Sequence, residues 1–275
     1  ISFYLTGAYG TPVNKSPTME TAFGEEFDYA VTSINNTWGM RLDKHINIYL
    51  ILGYSNISAP NESINSFMAS GTSTDKTFST GIDYNFDTRN LRQFPESGVY
   101  FDVNFLHSGF GLSNISYNSI SLDSRKYQRL YESLVLKGRL SMRHTFGEFV
   151  PYYNYSTLGF DYYTRGNRYL IREGNNRILS SIELTHPIIS EWNFAVDLPL
   201  LPKSLTRTRI AVYASIFADA ANVFNNGDVI TLNDFNSGYG FGLTFLFLPY
   251  SSFRVEFAFN EFGKGELLLE TGISF

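Results

Sequence analysis

This sequence predicts an all-β fold, an antiparallel transmembrane β-barrel of about twelve strands, on three observations. Charged residues make up 17% of the 275 positions, where an ordinary soluble domain carries about 25%, and Phe, Tyr and Trp together reach the same 17%. So little charge leaves much of the outside suited to something other than water. The longest apolar stretch, near Phe241–Pro249, is interrupted by Gly242 and Thr244, far short of the ~18 residues of a membrane-spanning helix. Apolar side chains instead recur at every second position, the period of a strand with one face in hydrocarbon and the other in water. A mean hydropathy of −0.13 is what two such opposed faces average to.

The elements follow in order. Segment 2–10 opens the series with Phe3, Tyr4 and Leu5, and 25–42 and 46–57 flank the short turn 43–45. In 76–87, Phe78, Thr80, Ile82, Tyr84 and Phe86 alternate with Ser79, Gly81, Asp83, Asn85 and Asp87. In 98–108, Val99, Phe101, Val103 and Phe105 oppose Tyr100, Asp102 and Asn104. Segment 128–145 sets Leu134, Leu136, Gly138, Leu140 and Met142 against Val135, Lys137, Arg139, Ser141 and Arg143. Segments 150–160, 177–190, 207–223 and 237–249 follow. In 252–261, Val255, Phe257 and Phe259 alternate with Arg254, Glu256, Ala258 and Asn260. The last, 265–275, places Leu267, Leu269, Thr271, Ile273 and Phe275 opposite Glu266, Leu268, Glu270, Gly272 and Ser274. Each is near or above the ~9–11 residues that carry a tilted strand across a bilayer. Ionised groups on the second face are costly in the dry core of a soluble sandwich and at home in a polar lumen.

Connections alternate in length. Short turns at 43–45, 147–149 and 250–251 contrast with polar stretches at 58–75, 109–127, 161–176 and 224–236, with 191–206 and 262–264 as exceptions. Long loops outside and short turns in the periplasm are the barrel habit, and an even strand count returns both ends to the periplasm. With no linker or repeat, residues 1–275 read as a single outer-membrane barrel domain. No signal peptide opens the sequence at Ile1, so the chain is expected to be a processed protein or part of a longer one. An aromatic last residue on the outward face, Phe275, is the usual end of a strand delivered to the outer-membrane assembly machinery.

Several function classes fall away. Net charge of −5 argues against nucleic acid, which selects basic surfaces. The absence of cysteine removes disulfides, thiolate metal sites and thiol catalysis. An outer-membrane phospholipase needs a Ser, a His and an orienting polar group on the barrel exterior, and the candidates are His45, His107, His144 and His186. No Gly-x-Ser-x-Gly elbow, His-Glu-x-x-His or phosphate-binding loop accompanies them. Glu25, Glu26, Asp28 and Asp75 read as rim charges, so no catalytic, cofactor or metal site is expected.

Three motifs go beyond a generic barrel. Tyr84-Asn85-Phe86-Asp87-Thr88-Arg89, continued by Phe94-Pro95-Glu96-Ser97-Gly98, resembles the Asp-Thr-Arg…Pro-x-x-Gly hairpin of the bacterial surface antigen superfamily. Thr164-Arg165-Gly166-Asn167, with Ser181-Ile182-Glu183-Leu184, resembles its Arg-Gly loop and the Glu-containing strand that follows. Phe217-Ala218-Asp219-Ala220-Ala221-Asn222-Val223-Phe224 resembles its Phe-x-Asp-x-Gly-x-Val-Phe strand. That superfamily comprises the BamA and TamA assembly factors, two-partner secretion pores and patatin-linked barrels. Here Asn167 stands where the family usually has an aromatic, and Ala221 replaces the common Gly. The family barrel normally has about sixteen strands. Sixteen are therefore expected if the chain is N-terminally truncated, and twelve if it belongs to a POTRA-less branch with a smaller barrel, which is the preferred reading.

The resemblance implies protein or lipid assembly or translocation in the bacterial outer membrane. Its partners would be membrane lipids, lipopolysaccharide and a periplasmic partner protein or fused domain. It also implies that loop 161–176 folds into the lumen, with Arg165 paired to Glu183 and Asp219, both of which alternation places on the inward face, and plugs the pore. Asp87, Arg89, Pro95 and Gly98 are expected to set the hairpin, and a weak seam to join 2–10 with 265–275. The alternatives are a barrel anchor or passive pore for a separate enzyme or complex, such as a patatin-type phospholipase, or the phospholipase itself.

Overall fold

In the computed structural model, residues 2–10, 29–59, 68–159, 162–195, 207–248 and 251–272 are described. Local alternation and backbone pairing together account for the wall they build. Strands β1 (Ser2–Gly10), β2 (Ala30–Arg41), β3 (Ile46–Ser58), β4 (Thr74–Asp87), β5 (Gly98–Gly109), β6 (Ser116–Tyr131) and β7 (Leu134–Phe149) form its first part. Two three-residue strands, β8 (Ser156–Leu158) and β9 (Arg172–Gly174), pair only with each other. The wall resumes with β10 (Asn176–Ala195), β11 (Arg207–Phe224), β12 (Asn236–Leu248), β13 (Ser251–Asn260) and β14 (Gly265–Thr271). The twelve long strands make one antiparallel sheet in chain order, with β7 and β10 adjacent across the inserted hairpin. The fold is therefore the all-β antiparallel one expected, with twelve wall strands. Among the described residues no pairing joins β1 to β14.

Inside and outside are inverted relative to a soluble protein. Ile182, Ile216, Phe241 and Leu267 stand exposed on the outer face, while Lys137, Glu183, Asp219, Arg254 and Glu256 are buried. Contacts across the interior show that the sheet curls. Phe94, in the connection between β4 and β5, packs against Ala211 of β11 and Leu246 of β12, with its ring 4.4 Å from that of Tyr213. A turn reaches strands so far along the sheet only if the wall folds back to face itself.

Two expected elements need correction, and they cancel in the count. The stretch 109–127, read as a long loop, holds most of β6, and the segment 128–145 spans a turn at Glu132–Ser133 that separates β6 from β7. In β6, Ser119, Ser121, Asp123 and Arg125 point one way and Asn118, Ile120, Leu122, Ser124 and Lys126 the other, so apolar contrast is confined to two positions. Glu132 makes the turn at φ 32° with neither Gly nor Pro to mark it. The segment 150–160, read as a spanning strand, instead leaves the wall at Pro151, makes a 3-10 turn over Tyr152–Asn154 and enters β8. Proline removes the donor that another ladder bond needs.

Candidate functional site: the lumen clamp

The inserted hairpin is held to the inner wall before any charge is considered. Leu158 of β8 packs on Leu179 of β10 and Ala221 of β11, with Tyr162 and Val223 beside them. The methyl of Ala221, where the resembling motif has Gly, is part of that contact. From this footing the chain turns back through Thr164–Asn167, closed by the Asn167 amide donating to the Thr164 carbonyl at 2.9 Å. Gly166 takes φ +94°, which L side chains rarely adopt. The wall opposite is equally specific: a Cβ on Gly238 of β12 would sit 1.6 Å from the Arg165 carbonyl oxygen.

That turn buries Arg165 to 6% exposure. Its Nε and Nη2 donate to the two carboxylate oxygens of Asp219, each at 2.7 Å, and its backbone amide adds a third bond at 3.1 Å. Nη1 donates to Glu183 at 2.8 Å and to Glu256 at 3.1 Å. The guanidinium carbon lies 3.5 Å from the centre of the Phe217 ring. A planar fork satisfies two carboxylate oxygens at once, which a lysine ammonium does not. Burial by itself pulls the pKa of Arg165 down; the bonds and charge of Asp219, then the charges of Glu183 and Glu256, overcome this and raise it above its ordinary value.

Further pairs surround the clamp. Lys137 of β7 donates to Glu183 at 3.0 Å, Arg168 pairs with Glu270 at 3.2 Å, and Arg254 pairs with Glu270. Four cations (Lys137, Arg165, Arg168, Arg254) thus meet four carboxylates (Glu183, Asp219, Glu256, Glu270). The loop is tied at its flanks too. The Gly166 amide donates to Glu266 at 3.1 Å, Tyr163 donates to Glu270, and Asn167 donates to the Ser237 carbonyl at 2.9 Å and to Glu261 at 2.8 Å. Asn167, the departure from the family's aromatic, here contributes polar anchoring.

Of the residues singled out in the sequence, Arg165, Gly166, Glu183 and Asp219 thus come together. Glu256, Lys137, Arg254 and Glu270 were legible only as inward-facing charges. The hairpin residues form a second cluster at the C-terminal end of β4. Arg89 grips Asp87 through Nε at 2.9 Å and Nη2 at 3.0 Å and lies 4.5 Å from the Tyr100 ring centre, and Arg92 approaches Asp87 at 3.2 Å. Pro95 is fully buried and Gly98 opens β5 at φ +107°. Phe275, Glu25, Glu26 and Asp28 lie outside the described residues.

The histidines are dispersed. His45 lies 2.8 Å from the Asp87 carbonyl, His107 3.0 Å from Asn118 and His144 2.7 Å from Asn176, while His186 lies 3.3 Å from the Ser133 hydroxyl. Asp75 is a loop anchor, accepting the Ala69 and Ser70 amides at 2.8 Å and the Tyr153 hydroxyl at 2.7 Å.

Comparison with known proteins bears on the family and the fold. The Omp85 superfamily domain matches residues 14–275. Among solved structures, BamA from Haemophilus ducreyi lacking POTRA domains 1–3 superposes with a TM-score of 0.69 at 17% identity, over 98% of this chain. The chain spans 58% of that structure's length. No curated protein matches it.

Proposed function

The chain belongs to the Omp85 superfamily, and from that premise we propose that it acts in the assembly or translocation of protein or lipid at the outer membrane, with its lumen plugged by loop 161–176. Its localisation is the bacterial outer membrane. The observation that carries the plug is the fourfold engagement of Arg165: three carboxylates from three wall strands and the Phe217 ring converge on one loop residue. A mobile surface loop has no reason to bury a guanidinium, because taking its charge out of water costs several kcal/mol unless it is paired and hydrogen-bonded. A clamp of this kind fills the lumen with balanced charge and removes a continuous water path.

On this reading the barrel works on its clients at the wall and in the membrane rather than by conducting solutes, and it is not itself an enzyme. Lipids, lipopolysaccharide and a periplasmic partner protein or fused domain are the proposed partners. The test is reconstitution into phosphatidylethanolamine–phosphatidylglycerol vesicles, followed by the rate at which an unfolded outer-membrane barrel client inserts. Faster insertion than into protein-free vesicles is expected. An unchanged rate, together with a large steady conductance for the wild-type chain in planar bilayers, would leave the passive pore in its place.

A further inference from the structure

A second feature of the lumen lies apart from the clamp. Arg143 of β7 and Arg177 of β10 are directly opposite partners in the ladder. Like charges so placed repel and destabilise a sheet. Arg177 is only 7% exposed, its Nε has no hydrogen-bond partner, and its guanidinium carbon stacks 3.2 Å from the centre of the Tyr162 ring. Among the described residues neither arginine forms an ion pair. Both line a cavity of about 370 Å³ between the inserted hairpin and strands β5, β6, β7 and β10.

The carboxylates on the same cavity are already engaged. Asp123 is held by Arg125 at 2.9 Å and by Arg139 at 2.8 Å, and Asp102 accepts from Asn85 at 3.0 Å and Tyr100 at 3.3 Å. Two arginines, Arg143 and Arg177, and two aspartates, Asp102 and Asp123, line the cavity; the aspartates are taken up by neighbouring donors, and the arginines have no carboxylate partner among the described residues. Each clamp cation has a carboxylate partner, whereas Arg143 and Arg177 have none among the described residues. Ser119, Ser121, Ser141 and Asn104 offer further donors around an anion, in a lining that also holds Leu106, Leu122 and Met142.

We propose that this cavity is a binding site for a small oxyanion of the phosphate class, gripped between the guanidinium groups of Arg143 and Arg177 under the ring of Tyr162. Two guanidinium forks can divide the oxygens of one tetrahedral anion between them, and a phosphate relieves the repulsion that the ladder register imposes.

The test is calorimetric titration of the chain, purified in a maltoside detergent that carries no phosphate, with inorganic phosphate at constant ionic strength. One saturable site is expected, weakened at least about tenfold in Arg177→Gln, since a hydrogen bond to a charged group is worth ~1.5–3 kcal/mol. Because a lumen variant can misfold, Ser121→Glu provides a second arm. Ser121 is the ladder partner of Arg143, so a carboxylate there supplies the anion internally. That variant is expected to unfold at a higher temperature than wild type in phosphate-free buffer and to bind no phosphate. The proposal is overturned if wild type shows no saturable phosphate site, if chloride competes as well as phosphate, or if Ser121→Glu binds phosphate as wild type does.

Discussion

The wall of β10–β14 and the wall of β1–β3 follow the same alternation yet differ in what lies on their inner face. On β13, Arg254, Glu256 and Ala258 are all at 5% exposure or less, beneath the docked loop. On β1, neighbouring residues Phe3, Tyr4 and Leu5 are exposed at 56–64%, so both faces of that strand lie open. Inward side chains of β2, such as Ser33, Asn35 and Thr37, are uncharged and only half-buried. Strand period alone therefore builds a wall; burial and specific pairing arise only where another segment returns to cover it. Stability and any gating should concentrate on the covered side.

The largest break in that contrast is expected from Arg165→Ala. It leaves Asp219 without a cation in a buried cluster and takes one partner from Glu183 and Glu256, and removing one partner from such a network costs about 3–5 kcal/mol. Loop 161–176 should become protease-sensitive and planar-bilayer conductance should rise; a variant with unchanged conductance and protection would remove the plug from the account. Arg165→Lys should recover only part of the protection, because a point charge cannot grip Asp219 with two parallel bonds.

Phe94→Ala should come next, at about 3 kcal/mol, the low end for a buried Phe because the cluster around it is small. The ring ties the β4–β5 connection to the far wall and receives the Lys137 ammonium 4.4 Å from its centre. Thermal unfolding in detergent measures the loss. A neutral result would mean that the connection does not brace the covered side.

A smaller effect should come from acid. Burial tends to raise the Glu261 pKa, but its own amide and bonds from Asn167, Asn236 and Ser237 outweigh this and hold it below the ordinary 4.5. A depressed pKa in the folded state means that this anchoring is fully present above about pH 4.5 and fades as pH falls through the lower folded value. The share of loop protection that Glu261 supplies should thus hold down to that point and decline below it, and Glu261→Gln should show less of that decline. The smallest effect belongs to the uncovered wall: Asn35→Ala should stay within about 0.5 kcal/mol of wild type. A large loss there would mean that β2 has an inner partner after all, and the contrast between the walls would fail.

How much of this was legible in the sequence depended on distance along the chain. The alternation of Val255, Phe257 and Phe259 with Arg254 and Glu256 is local, so fold class and the inward direction of charge followed from it. Where only two positions of one face are apolar, as Ile120 and Leu122 in β6, the same signal faded, and the turn at Glu132 escaped because no special residue marks it. The Arg-Gly loop was recognisable through its motif, and the matched family bears out the resemblance. Phe94 was visible inside its motif, yet nothing nearby in sequence pointed to Ala211 and Leu246.

Strand period, wall composition and the sign of each inward charge were thus determined by the sequence itself, because each depends on neighbours one or two residues away. Only the curled sheet decided which charges meet. Arg165 lies 18, 54 and 91 residues from Glu183, Asp219 and Glu256, and closing those distances needs the wall and the hairpin footing at Leu158 to exist first. The same closure set Arg143 against Arg177 with no carboxylate between them, a register that pattern-reading cannot supply because it is fixed by the pairing of whole strands.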